Sequence, residues 1–330
     1  MSGAVDLTAL YTRQLPRLTT ENQRNRLRIA LENRMTAIEA YRVLERFLPA
    51  RQTLPAMLAE MQMVVPNGLA RQLNGIERRL QPLSTEAIAA GTEEWALNLR
   101  HWLSLAGKCR PEPFVRRRIA RSIGLYGGPG AAAEKALTIV FCASTHRPTL
   151  PVPVYLQHLE ARATDVLILR DPAQRAFAAG VGGSTSSLAE TIDLLRDYRR
   201  QHGYRQLYCL GTSAGGLAAL ATGLALGATA IMTVGAGGHD DSRQLPLGGV
   251  SFADVLVALR QGAGAATRLA HAYGADVAAD VTNAERNRML LGGELVPIRD
   301  GRKPVGHAAL YPLAKRRRLG RFFAEWMYER

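Results

Sequence analysis

Leu207-Tyr208-Cys209-Leu210-Gly211-Thr212-Ser213-Ala214-Gly215-Gly216 is the stretch that decides how this chain reads. Four apolar residues run straight into G-x-S-x-G, and a run of Ala, Leu and Gly follows to Leu226. A buried strand, a tight turn and a helix are therefore predicted in that order. The glycines two before and two after Ser213 leave room where strand and helix backbones nearly touch. The turn lifts the hydroxyl above a sheet, and the helix that starts behind it points its free N–H groups at the same place. A phosphate-binding loop is excluded because no Gly-Lys-Ser/Thr follows. A dinucleotide loop is excluded because G-x-G-x-x-G is absent.

Outward from this motif the chain alternates between strand and helix. Leu137 to Ala143 (LTIVFCA), Asp165 to Leu169 (DVLIL) and Ala230 to Val234 are short continuous apolar runs, typical of strands buried on both faces. Ser187 to Arg200 carries Leu188, Ile192 and Leu195 on one helical stripe. Val152 to Leu159 also reads as a helix. Thr267 to Tyr273 and Leu295 to Ile298 read as the last strands, with a helix closing the chain. Pro113 to Ser122, with Arg116-Arg117-Arg118, reads as an edge strand or hairpin at the start of the sheet. The fold class expected is α/β: a mostly parallel sheet with helices on both faces.

Before residue 110 the rhythm is different. Leu27, Leu31, Met35 and Ile38 recur at helical spacing, and further helical stretches are plausible over 54–65, 69–80 and 85–105. We expect a helical N-terminal region over 1–110, serving as lid or docking module, and the sheet domain over 111–330.

The chain has 330 residues and a formal charge of +14. Residues 1–130 carry +8 of this and the remaining 200 carry +6, so the excess is denser at the front. The bland account is a basic surface; the functional one is attraction to an anionic partner. No helix-turn-helix, zinc-finger or RNA-binding signature accompanies the charge, so nucleic acid is not the expected partner. Cys109, Cys142 and Cys209 are scattered and odd in number, which argues against a disulfide framework or a zinc site and for a reducing compartment. Met1 to Gln14 has no apolar run behind a basic start, and no uncharged run reaches the roughly 20 residues of a membrane span. A cytoplasmic protein is expected, without metal or cofactor; its oligomeric state is not legible.

A turn serine needs a base to take its proton. In the chain order Ser, acid, His, four of the seven histidines precede Ser213 and drop out. His239 comes too soon, and His271 lies inside a strand as a packed residue. His307, in Val305-Gly306-His307-Ala308-Ala309, follows the last strand and is the candidate base. Asp276, at the end of Tyr273-Gly274-Ala275-Asp276, is the first choice for the acid. Asp280 and the pair Asp240/Asp241 are the alternatives; each of these aspartates could equally be a loop or cap residue.

Residues 137 to 330 resemble the α/β-hydrolase superfamily in GTSAG at 211–215, YGAD at 273–276 followed by Asn283-Ala284-Glu285-Arg286, and GHAAL at 306–310. The resemblance implies Ser213 as nucleophile, Asp276 as orienting acid and His307 as base. It implies oxyanion donors at the backbone N–H of Ala214 and in the loop after the 137–143 strand, at Ala143 or Ser144. That loop reads Cys142-Ala143-Ser144-Thr145-His146, where many members have His-Gly or a glycine run. The implied activity is acyl transfer or hydrolysis (esterase, thioesterase or acyltransferase) on a small-molecule or carrier-bound acyl substrate, with an anionic one favoured by the basic balance. The rival is a binding or scaffold protein that kept the sheet and holds a partner with its basic helical front. Closure above Ser213, or a His307 too distant from it, would favour the rival.

Overall fold

The computed structural model describes residues 114–328 apart from 121, 145, 151, 241–249, 264 and 265. The expected helical front over 1–110, Cys109, Thr145 and Asp241 lie outside the described residues. The chain divides into two units; the one that carries the sheet comprises Glu112–Leu150 and His158–Arg330. The short helix α1 (Val152–Leu156) groups with the other unit.

Eight strands form one mixed sheet: β1 (Val115–Ala120), β2 (Ile123–Gly127), β3 (Ala136–Phe141), β4 (Thr164–Leu169), β5 (Leu207–Thr212), β6 (Ala230–Val234), β7 (Arg268–Gly274) and β8 (Glu294–Ile298). Their order across the sheet is β1-β2-β4-β3-β5-β6-β7-β8. β1 and β2 form an antiparallel hairpin, β2 runs antiparallel to β4, and every other pairing is parallel. The Arg116-rich segment is thus the edge strand, as its charges imply, because an edge can turn them to water.

The central strands are buried along their whole length: β3, β4, β5 and β6 have no exposed residue. Such strands cannot show a polar–apolar alternation, and they read as unbroken apolar runs. One face, with Leu137, Ile139, Phe141, Leu167, Leu169 and Cys209, packs against helices α2 (Leu188–His202), α3 (Gly216–Ala225) and α4 (Phe252–Ala263) through Leu195, Leu220 and Leu256. On the other face Tyr328, in the π-turn Ala324–Tyr328, meets Thr138 at 3.0 Å and Tyr208 edge-on at 4.8 Å. Helix α5 (Ala278–Leu291) links β7 to β8, and α6 (Leu310–Lys315) and α7 (Leu319–Phe323) follow β8. The α/β architecture read from the sequence is the one observed. Among the described residues no helix is long and apolar enough to cross a membrane.

Two local devices fix the ends of these elements. Ser187 caps α2 by accepting from the Glu190 N–H at 3.1 Å, while Glu190 reaches back to the Ser186 N–H at 2.9 Å. Gly203, at φ +75°, closes the same helix in the left-handed region that a side chain would resist. At the opposite edge of the sheet from the strand C-termini, Asp165 on β4 accepts from Lys135 Nζ and the Tyr204 hydroxyl, both at 2.6 Å, and from the Gly128 N–H at 2.9 Å. Lys135 and Asp165 are 5% and 4% exposed. Removing one partner of such a pair leaves an uncompensated buried charge, whereas exposed pairs contribute little. Lys135→Met is therefore expected to lower stability by about 3–5 kcal/mol in urea unfolding. Arg200→Ala, at the exposed Arg200–Asp197 pair, should change it by less than about 1 kcal/mol.

Candidate active site

Ser213 sits at the C-terminal end of β5, with φ +50°. A left-handed conformation costs a non-glycine residue about 1–3 kcal/mol, and persists only where its surroundings over-determine it. Those surroundings are close backbone contacts. A Cβ on Gly211 would lie 2.4 Å from the Gly215 carbonyl oxygen and 2.6 Å from Ala219 Cβ. One on Gly215 would lie 2.4 Å from the Phe141 carbonyl oxygen, at the end of β3. One on Gly216 would lie 2.3 Å from Ala236 Cβ. The single 3-10 turn Ser213–Gly215 then leads into α3. The sequence reading of a helix from Ala214 is correct except for this first tight turn.

His307 approaches from the loop after β8. Its Nε2 lies 2.9 Å from Ser213 Oγ. Its Nδ1 lies 2.9 and 3.0 Å from the two carboxylate oxygens of Asp280. With the proton on Nδ1, the imidazole donates to Asp280 and accepts from the serine hydroxyl. The imidazole is about half exposed (53%), while the Asp280 side chain is only 5% exposed. The hydrogen bond to Asp280, followed by the carboxylate's charge, raises the His307 pKa above the ordinary histidine value against the opposing effect of burial.

Asp276, the first choice from sequence, does not meet the imidazole. It is exposed, and its Oδ2 accepts from the Val305 N–H at 2.8 Å, tying down the start of the histidine loop. The physical reason is where the helix begins. β7 ends at Gly274 and α5 starts at Ala278, so Asp280 lies within the helix's first turn and faces inward. That position also sets a carboxylate at the positive end of the helix dipole. Asp240 pairs instead with Arg286 at 3.0 Å, on the surface.

The loop after β3 departs from expectation at one donor. The Ala143 N–H is taken by the Arg147 carbonyl at 2.9 Å, and the His146 N–H by the Ala143 carbonyl at 2.8 Å. These two bonds close a tight turn and remove Ala143 from the candidate oxyanion donors. Ser144 is exposed in this turn and Ala214 directly follows Ser213, so these two remain the candidates. The helix-terminal position of Ala214 leaves its N–H without an acceptor in the preceding turn.

The composition signal at Gly235-Ala236-Gly237-Gly238 carries more than a strand end. Gly235 has φ +56°, and a Cβ there would come within 3.0 Å of His307 Cε1 and 3.3 Å of Asp280 Oδ2. Its bareness makes the room that the imidazole and carboxylate occupy. Asn287, 1% exposed on α5, donates to the Gly237 carbonyl at 3.0 Å and accepts from the His239 N–H at 3.1 Å, clamping that loop. No pattern in the sequence marks Asn287 for this task.

The other chemistry-bearing groups nearby are accounted for by packing. His271 is 1% exposed and bonds Thr233 Oγ1 at 3.2 Å and the Gly292 carbonyl at 3.1 Å, as a satisfied core histidine. Cys142 and Cys209 are buried free thiols whose pKa burial pushes up to about 12, so neither offers a competing thiolate. Among the described residues no cluster of three or more His, Cys, Asp or Glu could hold a metal ion.

No family model matches the chain. No curated protein matches it either. Among solved structures the chain is similar to an α/β-hydrolase enzyme from the metagenome of sediments of the Mar Chica lagoon, Morocco, at 16% identity and TM-score 0.45, over 64% of this chain and 98% of that one. It is similar to the enterobactin esterase of Shigella flexneri at 14% identity and TM-score 0.43, over 68% of this chain and 63% of that one. Dienelactone hydrolase from Anabaena variabilis is similar at 15% identity and TM-score 0.43, over 65% of this chain and 95% of that one. The fold assignment rests on the strand order and the turn at Ser213, and the site on its own distances.

Proposed function

We propose that the chain is a serine-dependent acyl-transfer enzyme, an esterase, thioesterase or acyltransferase, with Ser213, His307 and Asp280 as its triad. The observation that carries this reading is the unbroken hydrogen-bonded series Ser213 Oγ–His307 Nε2–Nδ1–Asp280 at 2.9 Å and 2.9 Å, ending on a serine at φ +50°. Nucleophile and base within hydrogen-bond reach, with the base oriented by a third group, is the arrangement that activates a hydroxyl.

In the first half-reaction Ser213 Oγ attacks the carbonyl carbon of an ester or thioester while His307 Nε2 takes the serine proton. The oxyanion forms where the N–H of Ala214 and the N–H or hydroxyl of Ser144 can donate. Collapse breaks the bond to the leaving oxygen or sulfur, which receives the proton from His307. The second half-reaction repeats these transfers with water, or with an alcohol in an acyltransferase, and returns Ser213. Asp280 holds the imidazole in the Nδ1–H tautomer and stabilises the imidazolium. The substrate is a small or carrier-bound acyl compound, and the basic balance supports an anionic one. Two buried free thiols support a reducing, cytoplasmic setting. The scaffold alternative would have been favoured by a His307 remote from Ser213, and the 2.9 Å contact counts against it.

A fluorophosphonate probe should label the wild-type protein covalently and leave Ser213→Ala unlabelled; folded wild-type protein that resists the probe and turns over no activated ester would refute the proposal. Asp280→Asn should lower kcat by on the order of 10³- to 10⁴-fold, as when a triad carboxylate is lost. Asp276→Asn should lower it less than about tenfold, and the reverse ranking would reassign the acid. The pH dependence follows from the raised His307 pKa. The base must be neutral, so kcat/KM falls as pH drops through a value above about 6.5. The charged His307–Asp280 pair stabilises the fold fully below the ordinary histidine pKa, and that contribution fades as pH rises through the raised one. Activity and this part of stability therefore change in opposite directions across the same window, readable in paired rate and thermal-unfolding profiles.

A further inference from the structure

A second group of polar side chains stands beside the loop that follows β3, and the proposed triad does not use it. Arg170 is the first residue after β4. Its N–H donates to the Ser122 carbonyl at 3.0 Å, and its Nε to the His146 carbonyl at 3.2 Å. Arg170 Nη2 is buried with no hydrogen-bond partner, and so is Nδ1 of His146. Buried polar nitrogens left without a partner, the guanidinium donor and an imidazole nitrogen that donates or accepts according to tautomer, are rare and costly in folded proteins. Among the described residues no carboxylate pairs with this guanidinium. The adjacent Asp171 is turned onto its own loop, where it accepts from the N–H groups of Ala173, Arg175 and Phe177 at 3.0, 2.7 and 2.9 Å.

The local backbone is constrained there, and the sheet lets the two arginines approach. His146 has φ +60° and Thr149 φ +64°, left-handed conformations that non-glycine residues adopt under constraint. On β2, Gly124 presents no side chain. Tyr126 Cε2, Arg116 Nε and Arg170 Nη1 lie 3.5, 3.7 and 4.0 Å from the point its Cβ would occupy, so a tyrosine ring and two guanidinium groups converge over one glycine. Burial and the charge of Arg170 hold the His146 pKa below the ordinary histidine value against the opposing charge of Asp171, which favours the neutral imidazole with its one N–H. The place is also near Ser213. The Cys142 N–H bonds the Leu169 carbonyl at 3.1 Å, and Phe141 is paired with Leu169 on one side and Gly211 on the other. Arg170 and Thr212 therefore flank Cys142 on neighbouring strands, roughly 10 Å or two strand spacings apart along the backbone, and the guanidinium reaches from there toward Gly124 on β2.

We propose that Arg170 and His146, with the charge of Arg116 behind them, form an anion subsite that holds a carboxylate or phosphate carried by the substrate. The substrate class is then an ester or thioester bearing an anionic group on the order of 10–15 Å, two to three strand spacings, from the reacting carbonyl. A guanidinium suits this because its forked N–H groups match both anions. The inference rests on the Ser213 reading for the reaction, though not for the binding of the anion.

The test compares p-nitrophenyl laurate with the p-nitrophenyl hemiester of dodecanedioate, whose extended chain can carry its carboxylate across that distance. Wild type should prefer the hemiester, and Arg170→Gln should raise its KM by roughly 10- to 100-fold, the range for a lost charge-assisted hydrogen bond. The loss on the neutral ester should be at least tenfold smaller, and Arg170→Lys, which keeps the charge, should fall between. Calorimetric titration of Ser213→Ala protein with glutarate and with inorganic phosphate, with and without Arg170→Gln, reads the subsite independently of turnover. Weaker binding of either anion in the double variant supports the subsite even if neither ester reacts, in which case only the triad reading fails. Equal losses on both esters, or no Arg170-dependent binding of either anion, would overturn the subsite while leaving the Ser213 chemistry untouched.

Discussion

Everything at this site depends on how closely one helix can approach two strands. The carbonyl of Phe141 lies where a Gly215 side chain would begin, and the carbonyl of Gly215 lies where a Gly211 side chain would begin. These contacts leave no room for a side chain at either glycine between β5 and α3. They hold Ser213 at positive φ, and the strain is sustained by the burial of the strand and helix around it. The same approach brings Ala236, and with it the glycine-rich end of β6, against Gly216. Gly235 is thereby placed where the imidazole and carboxylate meet. One packing constraint thus positions three loops at once.

The sequence shows the parts of this arrangement that are local. β3, β4 and β6 were legible as apolar runs because buried parallel strands have no polar face, and the Ser213 turn was legible because its glycines are sterically required. His307 could be reached by chain order alone. The acid could not be assigned, since Asp276 and Asp280 differ by four residues and both sit where a strand gives way to a helix. What separates them is the starting point of α5 at Ala278, which turns the later residue inward and leaves the earlier one on the Val305 N–H. Helix starts are poorly marked when, as here, the N-cap Val277 makes no side-chain capping bond. The closed turn at Ala143 was also beyond sequence, because it depends on which backbone carbonyl the chain returns to, here that of Arg147.

The distribution of charge deepens this picture. Most of the positive excess gives no sign of a place or purpose when read as composition. Arg170 differs because its guanidinium is held by a backbone carbonyl at the rim of the sheet, in company with Arg116 over a glycine. A side chain fixed in that manner acts directionally, as solvated arginines on a helix face do not. The anchoring of Lys135, Asp165 and Tyr204 at the far ends of the strands complements it, since it locks the sheet from below without entering the site.

The unequal burial of His307 and Asp280 has its own consequence. The carboxylate is sealed beneath the ring, while half of the imidazole faces water. Bulk solvent and buffer can therefore exchange protons with the imidazole directly, while the carboxylate is nearly closed off from water. The exposed edge of one side chain is then the part of this pair that water can reach. Anything that covers that edge slows the exchange of protons between the imidazole and solvent.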